Sequence, residues 1–204
     1  MNSRPTIVVL AAGLGSRFEG PAHKLEQRLG DFSVLGTTLR NAIASHLPLV
    51  VVATEALAAQ AARWVAPRDI VVLPTSGAQF GMGHSIAAGV AARANAPGWL
   101  LLPADMPLVQ PETLLAVAEG LLHHAVAYAQ YNGRRGHPVG FAAELYSELM
   151  LLSGDDGARR IVARYAAIGV DVSDPGVLVD VDTVDDLAQV RAAGGLLQQR
   201  PAAD

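Results

Sequence analysis

The sequence predicts a single-domain, three-layer α/β fold built on a doubly wound, mostly parallel sheet. Three observations lead there. Strand-like and helix-like segments alternate from the start of the chain. Hydrophobic residues make up 51% of the 204 but aromatics only 5%, so the core is mostly Ala, Val and Leu, as parallel strands buried on both faces require. No low-complexity linker or internal repeat interrupts the pattern, and the length suits one domain. Residues 1–194 are assigned to that domain and 195–204 to a tail.

Each element has a local reason. The β-branched run 5–11 (PTIVVLA) reads as a buried strand, and 13–24 as a glycine-rich loop. A helix is predicted over 33–46, from apolar positions at Val34, Leu35, Thr38, Leu39, Ala42 and Ile43. Residues 48–53 read as a strand, 55–65 as an alanine-rich helix and 69–73 as a strand. Residues 83–94 read as a helix with small residues inward, and 99–102 as a strand closed by Pro103. Helix 111–123 opens on a proline, where a missing N–H costs nothing. Short strands are predicted at 125–128 and 137–141, a helix at 156–166, and strands near 169–172 and 177–181. Thr183 caps the last helix, with Asp185 and Asp186 in its first turn.

Composition excludes several functions. The net charge of −4 leaves no basic footprint for nucleic acid. No apolar run reaches the ~18 residues of a membrane span, and no signal-peptide layout opens the chain. With no cysteine, disulfides, thiolate metal sites and a Cys nucleophile are excluded together. A cytoplasmic protein is expected. Of 15 basic residues only Lys24 is lysine, and that makes it stand out.

In doubly wound sheets ligands bind beyond the carboxyl ends of the strands. The first such loop runs Leu10-Ala11-Ala12-Gly13-Leu14-Gly15-Ser16-Arg17-Phe18-Glu19-Gly20-Pro21-Ala22-His23-Lys24. Its glycines let successive N–H groups approach an anion. Arg17 and Lys24 add one forked and one compact positive charge, a set suited to a triphosphate. A dinucleotide fingerprint fails because Phe18 holds its third glycine position. A P-loop fails because Pro21 holds the lysine position. Phe18, together with Thr54 after the second strand, argues against an NAD-linked oxidoreductase. Asp105, just past a strand and between Pro103 and Pro107, is either a turn residue or a carboxylate offered to Mg²⁺. Asp180 and Asp182 alternate on the strand expected at 177–181 and so share a face.

The motif L-A-A-G-x-G-x-R followed by G and Lys24 resembles the signature of the MobA-like nucleotidyltransferases. The resemblance spans Thr6 to about Val190 and implies a Rossmann-like nucleotidyltransferase fold. It also implies that Leu10, Ala11, Ala12, Gly13, Gly15, Arg17 and Lys24 bind a nucleoside triphosphate, with Gly81 and Ser85 near the base. Asp105 in A-D-M-P and Asp182 in D-V-D-T would hold Mg²⁺, and Lys24, Arg17 and Asp105 would carry catalysis. Arg135 and His137 in R-G-H-P-V, with Asp155 in G-D-D-G-A-R, resemble the acceptor side of the MocA-like branch. That branch transfers CMP to molybdopterin, so CTP, a small phosphorylated acceptor, and a molybdoenzyme or its maturation chaperone are the expected partners. Ala12 favours the cytidylyl over the guanylyl branch, which carries L-A-G-G. The sequence departs from the family loop R-M-G-x-x-K: Phe18 replaces Met, Glu19 intervenes and Lys24 comes two residues late. A guanylyltransferase, another transferase of the family, and a nucleotide-binding regulator or cofactor chaperone without turnover stay open.

Overall fold

The computed structural model describes residues 4–20, 22–74, 81–155 and 157–197. The chain runs through β1 (Thr6–Ala11), β2 (Arg28–Leu29), β3 (Phe32–Ser33), α1 (Val34–Ala44), β4 (Leu49–Thr54), α2 (Glu55–Ala61) and β5 (Ile70–Leu73). It continues through α3 (Gly81–Ala91), β6 (Gly98–Pro103), α4 (Pro111–Gly120), β7 (Val126–Tyr131) and β8 (Arg134–Ala142). It closes with α5 (Tyr146–Met150), α6 (Arg159–Arg164), β9 (Ala167–Asp171) and α7 (Val184–Leu197).

Seven strands form one sheet in the order β5-β4-β1-β6-β8-β7-β9. Only β8 runs antiparallel to its neighbours. The chain winds outward from β1 through β4 to β5, then returns to β6 on the other side of β1. That reversal puts the switch point between the carboxyl ends of β1 and β6, where a crevice opens. The doubly wound, mostly parallel sheet expected from the sequence is therefore the one observed.

β1 is central because its residues alternate between two cores. Ile7, Val9 and Ala11 pack with α1, α2, α4 and α7; Val8 and Ala12 pack with α3, α5 and α6. Both sets are buried, and each fully buried Leu, such as Leu35 or Leu39 of α1, contributes about 2 kcal/mol of transfer energy. α3 lies close on the sheet because Gly89 has no side chain. A Cβ there would sit 2.4 Å from Val8 Cγ1 and 2.9 Å from Val52 Cγ2.

Several expectations shift. Ser33 caps α1 rather than starting it, its hydroxyl accepting from Gly36 N–H at 3.0 Å. The helix at 156–166 shortens to α6, behind Gly157 at φ +55°; Asp156 lies outside the described residues. The two short strands at 125–128 and 137–141 lengthen into the β7–β8 hairpin. Asn132 (φ 49°) and Gly133 (φ 74°) make its tight turn. The strand expected at 177–181 is absent. A 3-10 turn, Pro175–Leu178, and an extended stretch outside the sheet stand there instead. α7 runs past residue 194 to Leu197, and residues 198–204 of the expected tail lie outside the described residues. Among the described residues no helix is long and apolar enough to cross a membrane.

Asp174 joins the 3-10 turn to α4. Its buried carboxylate accepts from Gln110 N–H at 2.8 Å, Thr113 Oγ1 at 2.7 Å and Gly176 N–H at 2.9 Å. Gln110 has no side-chain cap of its own, so a residue 64 positions away caps this helix. Asp174→Ala orphans these donors and is expected to cost about 3 kcal/mol. A urea unfolding midpoint unchanged from wild type would contradict this role.

Candidate active site

Three loops meet at the switch point, and backbone hydrogen bonds fix their spacing. Ala104 N–H donates to Leu10 O at 3.1 Å, tying the loop after β6 to the end of β1. Thr38 of α1 donates its hydroxyl to Ala104 O at 2.8 Å in a buried contact. Val181 N–H donates to Asp105 O at 2.9 Å, docking the stretch before α7 on the loop after β6. Asp105 and Asp182 thus reach one place from distant parts of the chain. Asp180 and Asp182 were expected to share a face by alternating on a strand, but no sheet strand forms there and alternation does not position Asp182. The Val181–Asp105 bond and the fully buried Val181 side chain hold it in place.

α7 is capped reciprocally, which leaves Asp182 available. Thr183 Oγ1 accepts from Asp186 N–H at 3.1 Å, and Asp186 accepts from Thr183 N–H at 2.7 Å. Three donors, the Thr183 hydroxyl first, hold the Asp186 carboxyl below the usual carboxylate range.

Lys24 lies on a one-turn 3-10 helix, Lys24–Glu26. Its ammonium donates to Asp105 Oδ2 at 2.5 Å and to Asp182 Oδ1 at 2.6 Å. The three side chains are 12%, 18% and 19% exposed. Burial alone pulls the ammonium down, but Asp105, by charge and hydrogen bond, and then Asp182 outweigh it and leave it above its ordinary value. Lys24 therefore stays charged. Arg17 reaches Asp182 Oδ2 at 2.7 Å from solvent, with a side chain 77% exposed. Asp105 Oδ1 is buried without a hydrogen-bond partner. No cluster of three or more His, Cys, Asp or Glu able to hold a metal occurs among the described residues.

These groups border a cleft of about 810 Å³. Leu10, Ala12, Gly13, Gly15, Arg17 and Lys24 form one wall. Gly81 and Ser85 of α3 also line the cleft, as do Arg135, His137 and Asp155. Asp180, though not on a strand, also borders it. Ala11 does not. Its side chain is fully buried in the core that α1 and α2 share with β1.

The acceptor-side residues differ in character. Arg135 is exposed and its guanidinium stacks 4.8 Å over the Tyr128 ring. Arg134 and Arg159, not singled out from sequence, line the same cleft. Burial pushes the His137 imidazole down, with a hydrogen bond to the Leu101 backbone and the Asp105 charge partly offsetting it. His137 is thus neutral near pH 7, and its Nδ1 is buried without a partner. Asp155 stands beside α3 because its loop docks there, with Gly83 N–H donating to Gly154 O at 2.9 Å. Gly81, at φ +82°, has no room for a Cβ, which would lie 2.4 Å from Gly154 C.

His23 also belongs to the site, though no motif in the sequence marks it. Its ring bonds Gly13 O at 3.0 Å and accepts from Leu25 N–H at 3.2 Å. The available signal was a polar ring directly before the only lysine.

A glycine loop, two cations and an acidic pair at the switch point of a parallel sheet define a nucleotide-binding α/β domain. Residues 7–168 match the MobA-like NTP transferase domain, and the chain belongs to that family of nucleotidyltransferases. It is 35% identical over 145 residues to the bifunctional protein GlmU of Cereibacter sphaeroides, covering 67% of this chain and 32% of that protein. It is 31% identical over 121 residues to the purine catabolism protein PucB of Bacillus subtilis, covering 57% and 58%. The chain thus spans less than two thirds of either relative. Rv0371C of Mycobacterium tuberculosis, solved in complex with manganese, shares 28% identity and a TM-score of 0.76, over 94% of this chain and 100% of that one.

Proposed function

We propose that this protein transfers a nucleotidyl group from a nucleoside triphosphate, CTP favoured, to a small phosphorylated acceptor of the molybdopterin type, and releases pyrophosphate. The observation that carries the proposal is the Lys24 ammonium held between Asp105 and Asp182 beside the glycine loop. The preference for CTP rests on Ala12 in the L-A-A-G motif, and the acceptor class on Arg135 and His137 in R-G-H-P-V.

An acceptor phosphate oxygen attacks the α-phosphorus, the bond to the bridging oxygen breaks, and pyrophosphate leaves with the electron pair. An acceptor phosphate is already ionised near neutral pH, so no general base is required. That agrees with a cleft whose histidine, His137, is buried and neutral. The chain's contribution is positioning and fixed charge. Backbone N–H groups of the glycine loop cradle the triphosphate, and Lys24 and Arg17 balance its charge. Arg134, Arg135 and Arg159, which line the same cleft, hold the acceptor phosphate.

Asp105 and Asp182 would hold a divalent cation. They fit one: both already face a single cationic centre, and Asp105 Oδ1 has no other partner. Two carboxylates completed by phosphate oxygens and water is the way Mg²⁺ is usually held. Manganese in the Rv0371C complex supports a divalent ion here. When bound, such an ion supplies Lewis-acid polarisation of the phosphate oxygens.

The test is a screen of the four triphosphates with Mg²⁺ and candidate acceptors, reading pyrophosphate. Release with CTP and a molybdopterin-type acceptor is expected. Release with GTP instead assigns a guanylyltransferase, and release with neither assigns another transferase or none. Tight binding without pyrophosphate identifies a nucleotide-binding regulator or chaperone.

A further inference from the structure

We infer that His23 is a positioning residue that sets the glycine loop and the Lys24 turn in one register, so that triphosphate binding depends on its ring. The inference rests on the nucleotide-binding reading above.

The ring's two nitrogens serve two different elements. Nδ1 accepts from Leu25 N–H at 3.2 Å, so it carries no proton. The proton of the neutral ring is then on Nε2, which donates to Gly13 O at 3.0 Å. One nitrogen therefore caps the turn that carries Lys24, and the other pins the loop that carries the N–H cradle. The ring also fills the space a side chain at residue 15 would need. A Cβ on Gly15, which is at φ +62°, would lie 3.0 Å from His23 Nε2.

His23 is not among the residues lining the cleft, whereas Gly13, Leu14 and Gly15 are. The ring thus stands behind the loop. In a planar trans peptide the C=O and the following N–H point opposite ways. Holding Gly13 O toward His23 therefore turns Leu14 N–H away from the ring and fixes its direction in the loop. His23 acts on a ligand only through that loop.

The long loop makes this contact necessary. Lys24 comes two residues later than in R-M-G-x-x-K, and the extra length must be closed for Lys24 to lie beside the cradle. The His23 ring provides that closure across ten residues of sequence.

Side-chain replacements separate the two contacts. A glutamine amide nitrogen can stand where Nε2 is and donate to Gly13 O. An asparagine oxygen can stand where Nδ1 is and restore only the Leu25 cap. The experiment measures dissociation constants for each triphosphate, with Mg²⁺, by calorimetry on wild type, Lys24→Ala, His23→Ala, His23→Gln and His23→Asn. Thermal unfolding is recorded for each.

His23→Ala and His23→Asn are expected to bind about tenfold more weakly, the loss of one net hydrogen bond. His23→Gln is expected within threefold of wild type, with all unfolding midpoints close together. Equal binding by wild type and His23→Ala overturns the inference alone. So does His23→Gln as weak as His23→Ala, or weakening in step with lost thermal stability. Wild type that binds no triphosphate overturns the nucleotide reading, and this inference with it.

Discussion

Lys24→Ala lowers turnover about 10²-fold or more, the loss expected when one preorganised charge donor leaves a site. The ammonium is the centre on which Asp105 and Asp182 converge, and Arg17 cannot replace it. The Arg17 guanidinium reaches only Asp182, from a side chain 77% exposed. Lys24→Arg is expected to recover little, because a planar fork does not fit where a compact ammonium meets two carboxylates at 2.5 and 2.6 Å. Removing the charge also leaves two mostly buried carboxylates facing each other. The variant should therefore lose about 1–3 kcal/mol of stability. Added Mn²⁺ should return part of that loss by neutralising the same pair. Steady-state pyrophosphate release and unfolding midpoints with and without Mn²⁺ check both parts. Full activity on a proven substrate would remove Lys24 from the mechanism.

Asp105→Asn is the second large effect. The substitution keeps the side-chain shape and the backbone bond from Val181 N–H, so the fold is retained. It removes one of the two charges that hold Lys24 and would hold a divalent ion. Turnover is expected to fall about 10²-fold, by the same loss of fixed charge. The Mn²⁺ concentration for half-maximal rate should rise by about tenfold or more, as when a metal site loses a supporting carboxylate. Unchanged metal dependence with unchanged rate would place the metal elsewhere. Asp174→Ala serves as the contrast, since it should reduce stability while leaving metal dependence alone.

Much of the fold was legible because its causes are local. The β-branched run at the start of β1 and the spacing of Val34, Leu35, Leu39 and Ala42 on α1 announce buried faces directly. Ends were harder to place. α1 starts one residue later than expected because Ser33 works as a cap, and α6 is short because Gly157 lies at positive φ. The Asn132-Gly133 pair was a readable turn signal that would have extended the β7–β8 hairpin. The strand expected at 177–181 failed because a valine-rich run also suits an extended stretch packed on a loop. Nothing local separates the two.

Sequence alone determined the chemistry available: a glycine loop, one lysine, carboxylates after the strands, and the order in which they arrive. Tertiary structure decided which of them meet. Lys24 reaches Asp105 across 81 residues and Asp182 across 158, while Ala11, inside the same motif, turns into the core. The physical reason is that periodicity sets which face a residue takes within its own element. Meetings between elements are set by where the winding of the sheet reverses and by backbone bonds between loops, such as Val181 to Asp105.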